Sequence, residues 1–150
     1  MERKSSGKLI YFPTRRKRNM DRKKVLIVED EMDMRIFLTT LLDTSGYKPI
    51  IALNGEEGEK KALSERPDLI LLDIMMPKEG GVRLYRKLKT NPSLSSIPVL
   101  VISAISKKTF IHSQKTIDSY KGEAIPEPEG YIEKPPDPDE LLQEIERILS

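Results

Sequence analysis

From Lys24 onward the hydrophobic positions alternate between two rhythms. Val25-Leu26-Ile27-Val28 is a short continuous apolar run, as in a strand covered on both faces. Met34, Phe37, Leu38, Leu41 and Leu42 then recur at helical spacing, one stripe of a helix that Gly46 ends. Ile50 to Leu53 predict a second strand. Asn54 suits the cap of a weaker helix that carries Ala62 and Leu63 and stops before Pro67. Leu69-Ile70-Leu71-Leu72 is a third apolar run, ending in Asp73. A loop with Pro77, Gly80 and Gly81 leads to a helix around Val82, Leu84, Tyr85 and Leu88. Val99-Leu100-Val101-Ile102 is the fourth run, followed by Ser103, and Tyr131-Ile132 is a short fifth strand. Leu141, Leu142, Ile145, Ile148 and Leu149 form a last amphipathic stripe.

Strand and helix thus alternate five times. Parallel strands need crossover helices, so the pattern predicts an α/β fold: a doubly wound five-stranded parallel sheet with helices on both faces. In such sheets ligands bind beyond the carboxyl ends of the strands. The polar residues that follow each strand are therefore the candidates for chemistry.

Composition changes this picture in two places. The chain has 150 residues, room for one domain, and no cysteine, which excludes disulfides and thiolate metal sites. No apolar stretch reaches the ~18 residues of a membrane span, and the first residues lack the apolar core of a signal peptide, so a cytoplasmic protein is expected. The formal charge of +2 hides an asymmetry: residues 1–24 carry ten Lys/Arg and two acids, net +8, while the rest carries net −6. Residues 1–22 show no sustained period and read as a basic, flexible tail, ahead of a domain over 23–150. A solvated leader is the simplest account of that tail. An arm for nucleic acid, an acidic partner or the domain's own acidic surface is the sharper one. Met20 stands just before the first strand as an alternative start.

Glu29, Asp30 and Glu31 follow the first strand, Asp73 the third, Ser103 the fourth and Lys134 the fifth. The predicted sheet brings them to one edge. Carboxylates gathered this way repel one another and invite a cation. Oxygen donors without Cys or His favour Mg²⁺, which takes phosphate oxygens as partners. A nearby lysine neutralises phosphoryl charge, and a serine hydroxyl donates to it. Singly, each residue has an ordinary structural explanation: a helix cap, a surface lysine, a turn serine. His112, the single histidine, has no apparent partner and is assigned no role.

Taken together, the segments resemble a response-regulator receiver domain of the stand-alone type. Val25 to Glu31 looks like the receiver's first strand with its acidic pair. Asp73-Ile74-Met75-Met76-Pro77 resembles the phosphorylation loop. Ser103-Ala104 and Lys134-Pro135 match the hydroxyl residue and the lysine–proline pair. The resemblance implies a flavodoxin-like sheet with strand order 2-1-3-4-5. It implies Asp73 as phosphoacceptor, with Lys134 pairing first with Asp73 and then with the phosphoryl group. It implies Mg²⁺ held by Glu29, Asp30, Asp73 and the Met75 backbone carbonyl. Ser103 would bind a phosphoryl oxygen, and Tyr131 would be the aromatic switch that turns inward as Ser103 moves. The implied donor is a histidine kinase or a histidine phosphotransfer protein, and the implied output is contact with a downstream protein. Such a chain is not an enzyme beyond its own phosphorylation and slow dephosphorylation.

The sequence departs from that family in the stretch from about 106 to 130. Ser106 to Ser119 predict a helix, and Tyr120 to Gly130, with two prolines and two glycines, predict an ordered loop. The extra length at 121–129 implies an altered output surface, and whether a homodimer forms stays open. Met75 and Ile105 occupy the positions that place or exclude the attacking water in this family; both are apolar, which predicts a slowly hydrolysed phosphoryl group. After Lys134 only 16 residues remain, so no DNA-binding output domain is expected. Two other classes compete. An adaptor whose receiver fold serves mainly as a docking surface would make phosphorylation secondary. An aspartate-dependent phosphatase would need a second aspartate where Met75 stands. A nucleotide-binding protein is disfavoured because no phosphate-binding G-x-x-x-x-G-K-[ST] loop is present.

Overall fold

The computed structural model describes residues 2–5, 8–11, 21–76 and 80–150. Five parallel strands form the central sheet: β3 (Lys24–Val28), β4 (Lys48–Ala52), β5 (Leu69–Asp73), β6 (Val99–Ser103) and β7 (Gly130–Glu133). Their order is β4-β3-β5-β6-β7, which is 2-1-3-4-5 within the sheet, as the resemblance implies. Between and after them run α1 (Met32–Thr44), α2 (Gly55–Glu65), α3 (Gly80–Thr90), α4 (Lys107–Lys121) and α5 (Pro138–Leu149).

The apolar runs are continuous because the sheet is covered twice. Successive side chains point to opposite faces. Val25, Ile27, Leu69, Leu71, Leu100 and Ile102 pack with Leu38 and Leu42 of α1 and Leu141 and Ile145 of α5. Leu26, Val28, Ile70, Leu72, Val99 and Val101 pack with Ala62 of α2, Leu84, Tyr85 and Leu88 of α3, and Phe110 of α4.

Local chemistry sets the helix ends. The Asn54 side chain accepts from the Glu57 amide at 2.8 Å, Ser106 from Thr109 at 3.1 Å and Asp137 from Glu140 at 2.9 Å. Gly122 ends α4 with φ of 71°, a conformation that favours glycine. Gly81 lets α3 begin against the end of β5: a Cβ there would lie 2.3 Å from the Asp73 carbonyl oxygen.

Two findings fall on residues counted with the basic tail. The described part of it contains two paired strands, β1 (Glu2–Ser5) antiparallel to β2 (Lys8–Tyr11), with Glu2 opposite Tyr11. Leu9-Ile10-Tyr11 is a fair strand former, but four residues are too few to show a period. Arg22, counted with the tail, is buried: its guanidinium donates to the Asp43 carboxylate at 2.9 Å and to the Tyr47 carbonyl. Pro13, Met20 and Pro77 lie outside the described residues. Among the described residues no helix is long and apolar enough to cross a membrane.

Candidate functional site

The sheet register gathers the predicted residues at one end. Asp73, the last residue of β5, pairs with Ile102 of β6, so Ser103 lies one position further along. Ser103 pairs with Glu133 of β7, and Lys134 follows directly. Glu29 and Asp30 follow β3, the other neighbour of β5. One ligand oxygen from each of Glu29, Asp30 and Asp73 falls within 4.8 Å of the others.

Lys134 holds the middle of this cluster. Its ammonium donates to Glu29 Oε1 at 3.1 Å and to Asp73 Oδ2 at 3.4 Å. The Lys134 amide donates to the Ser103 carbonyl at 2.8 Å, and the Lys134–Pro135 peptide is cis. The other Asp73 oxygen, Oδ1, accepts from the Met75 amide at 2.9 Å, which places the Met75 backbone against the carboxylate. Glu29 and Asp73 are buried, whereas Asp30 is exposed. Glu31, the last of the acidic run, stands outside the cluster and gives its amide to Glu29 Oε2 at 3.2 Å.

Three carboxylates against one ammonium leave the site strongly negative. Burial, then the bond to Asp73 and its charge, push Glu29 up to about 7. Burial pulls Lys134 down, but Asp73 and Glu29 more than offset it and hold the ammonium above the ordinary lysine value. Hard oxygen donors that repel one another and lack Cys or His fit a divalent cation of the Mg²⁺ type.

On the far side of the site, Ser103 Oγ accepts from the Ile105 amide at 3.2 Å. The Tyr131 hydroxyl donates to the Ile105 carbonyl at 2.8 Å and also meets the Ser103 side chain. Its ring stacks at a tilt on Phe110, centroids 5.6 Å apart. The Tyr131 side chain is half-buried, with its hydroxyl facing the loop that follows Ser103. Burial raises the pKa of its hydroxyl, which keeps it a donor. Of the two positions expected to govern water, Met75 is 58% exposed and Ile105 is half-buried against the core.

Sequence reasoning missed Arg35. Its guanidinium crosses back from α1 to the carbonyls of Glu29 at 3.2 Å and Asp30 at 2.8 Å, fixing the acidic turn. An arginine inside a helical pattern carries no signal of that role. A cleft of about 670 Å³ opens beside Asp30, between the N-terminal ends of α2 and α3, with Arg83 on its wall.

Comparison with known proteins agrees with this geometry. Residues 25–146 match the family "Response regulator receiver domain". The chain is 34% identical over 127 residues to the alkaline phosphatase synthesis transcriptional regulatory protein PhoP of Bacillus subtilis. That match takes in 85% of this chain but 48% of PhoP, so the chain spans about half of that relative. It is 31% identical to protein PilH of Pseudomonas aeruginosa, covering 85% of this chain and 98% of PilH. Among solved structures, the chemotaxis protein CheY4 of Vibrio cholerae superposes with a TM-score of 0.69 at 26% identity, over 85% of this chain and 99% of that one. The chain belongs to the response-regulator receiver domains, the phosphorylation-dependent switches of two-component signalling.

Proposed function

We propose that Asp73 is the phosphoacceptor of this receiver, and that it is phosphorylated by a histidine kinase or a histidine phosphotransfer protein in the cytoplasm. The observation that carries this reading is the Lys134 ammonium set between Glu29 and Asp73, with Asp30 in the same cluster.

A carboxylate oxygen of Asp73 attacks the phosphorus of the donor phosphohistidine. The P–N bond breaks as the new P–O bond forms, and the departing imidazole nitrogen keeps the electron pair and takes a proton. Both carboxylate and phosphoryl group are anionic, so catalysis is mainly positioning and charge stabilisation. A bound Mg²⁺, held by Glu29, Asp30, Asp73 and the Met75 carbonyl, would supply charge neutralisation at the phosphoryl oxygens. Lys134, already within reach of Asp73, follows the new charge onto the phosphoryl group. Ser103 donates its hydroxyl to a phosphoryl oxygen and gives up the bond it accepts from the Ile105 amide.

The product carries about two negative charges beside existing carboxylates. That local change biases the Ser103–Tyr131 contact, and through it the surface that a downstream protein recognises. The chain would otherwise act by protein contact and catalyse nothing beyond its own phosphorylation and dephosphorylation.

Intact mass after incubation with acetyl phosphate and Mg²⁺ tests the assignment. The native chain should gain one phosphoryl group, and Asp73→Asn should gain none. Equal uptake by the variant would move the acceptor elsewhere. No uptake by the native chain would favour a docking module with a receiver fold.

A further inference from the structure

Residues 122–129, between α4 and β7, form no regular structure, yet three helices and a strand hold them. The Tyr85 hydroxyl of α3 donates to the Pro126 carbonyl. Lys89 of α3, its side chain 2% exposed, donates to both Glu129 oxygens at 2.8 and 3.0 Å. Glu129 Oε1 also accepts the Val99 amide of β6 at 2.7 Å, and Arg147 of α5 reaches the Glu129 carbonyl at 2.8 Å. Arg86, buried between α3 and α4, donates to Gln114 at 2.9 Å and pairs with Asp118 at 3.0 Å and with Glu123 at 3.5 Å. Such a segment has two anchored ends and a pinned middle.

The pin in the middle is the foot of an aromatic stack. Tyr85 meets Phe110 edge to face at 5.5 Å, and Phe110 meets Tyr131 at 5.6 Å. Tyr131 in turn touches Ser103 and the Ile105 carbonyl at the acidic end. Three rings therefore join the loop beside Asp73 to a segment at the opposite end of the sheet. The α3–α4 seam next to that segment is only partly satisfied. Arg86 Nε and Gln114 Nε2 are buried with no hydrogen-bond partner among the described residues. A polar network left half-paired is costly as it stands, which favours any shift that completes it.

We propose that residues 122–129 are a strap that responds to the state of Asp73, with Tyr131, Phe110 and Tyr85 carrying the change from the Ser103 loop to Pro126. The inference rests on Asp73 being the phosphoacceptor. It adds that the readout includes the α3–α4 seam, far from the site. Phe110 and Tyr85 are positioning residues in this scheme, since neither touches the acceptor. Coupling of this kind is reciprocal, so loosening the strap also alters the site.

Amide hydrogen exchange on the full chain, read by mass spectrometry, tests it. Exchange in peptides covering 122–129 should change by about fivefold or more when the native chain is phosphorylated with acetyl phosphate and Mg²⁺, the low end of ordinary coupling. The response should fall to background in Phe110→Leu, which keeps an apolar filler and removes the ring. Tyr131→Ala alters the head of the stack with no phosphoryl group present and should shift the same peptides. Tyr85→Phe loses only the bond to Pro126; it should speed exchange in the strap while phosphoryl uptake continues. Intact mass on every sample separates the two readings. No uptake by the native chain refutes the acceptor assignment, and Tyr131→Ala then decides the strap alone. Unchanged exchange at 122–129 in both the phosphorylated native chain and Tyr131→Ala overturns the inference, as does a full response in Phe110→Leu.

Discussion

Buried charge gathers at both ends of the sheet, and the two ends balance it differently. At the carboxyl ends of the strands, Glu29 and Asp73 share the ammonium of Lys134, with the Asp30 carboxylate beside them. At the amino ends, Lys89 sits against Glu129, and Arg86 against Asp118 and Glu123. The amino-end cations are the buried members, and their carboxylates reach solvent. The acidic end has the reverse arrangement, with Glu29 and Asp73 buried, Asp30 exposed beside them, and carboxylates in excess. Matched pairs hold a segment in place. An excess of one sign stores electrostatic strain that a cation or a new ligand relieves. The difference makes the acidic end the one suited to hold a cation.

The sharpest way to break this contrast is to unmatch the amino end. Glu129→Ala leaves the Lys89 ammonium buried without a partner and the Val99 amide without its acceptor. Breaking a buried pair costs about 3–5 kcal/mol, less where one partner reaches water, so a loss of about 2–4 kcal/mol is expected in urea unfolding. Lys89→Met combined with Glu129→Gln removes both charges and should recover most of that loss. If the double variant is as unstable as Glu129→Ala, the pair is not what holds the strap.

The opposite sign is expected at the acidic end. Glu29→Gln removes one of the repelling charges and keeps one acceptor oxygen, enough for Lys134, while the bond from the Glu31 amide is lost. In metal-free buffer it should raise stability by about 1 kcal/mol. Mg²⁺ should then stabilise the native chain more than the variant, because ligand that binds only the folded state adds stability by mass action. Thermal unfolding with and without Mg²⁺ reads both effects. A variant less stable than the native chain without metal would show that the carboxylates are already balanced.

The two ends also differed in how legible they were. Runs such as Val25 to Val28 and Leu69 to Leu72 announced a doubly covered parallel sheet, and that topology alone brought Asp30, Asp73, Ser103 and Lys134 together. The acidic end was readable because it hangs on strand termini, whose order the alternation fixes. The amino end hangs on long side chains that cross from helices to a loop. Lys89, Arg86 and Glu129 are surface residue types, and nothing in their spacing says that they are buried. Arg35 was hidden for the same reason. The strand pair at 2–5 and 8–11 was missed because four-residue strands show no period, and Arg22 because its partners, Asp43 and Tyr47, lie about 20 residues on.

The smallest effect concerns how long the acidic end keeps its product. The two positions expected to govern attacking water, Met75 and Ile105, carry apolar side chains, which hold no group that would orient a nucleophile. They are not equivalent as probes. Ile105 packs against the core and gives its carbonyl to Tyr131, so a polar residue there disturbs packing as well as water. The Met75 side chain is 58% exposed and the residue bonds to Asp73 only through its amide, which substitution preserves. Met75→Asn therefore changes the surroundings of the attacking water with little cost to the fold. A positioned donor or acceptor should shorten the aspartyl-phosphate lifetime by about tenfold, ~1.4 kcal/mol of barrier. Decay of the phosphorylated mass after donor removal measures it, with unfolding in urea as the control for stability. An unchanged lifetime in a stable Met75→Asn would mean that access past Met75 does not govern hydrolysis, and that the excess of carboxylate charge around Asp73 alone repels the nucleophile.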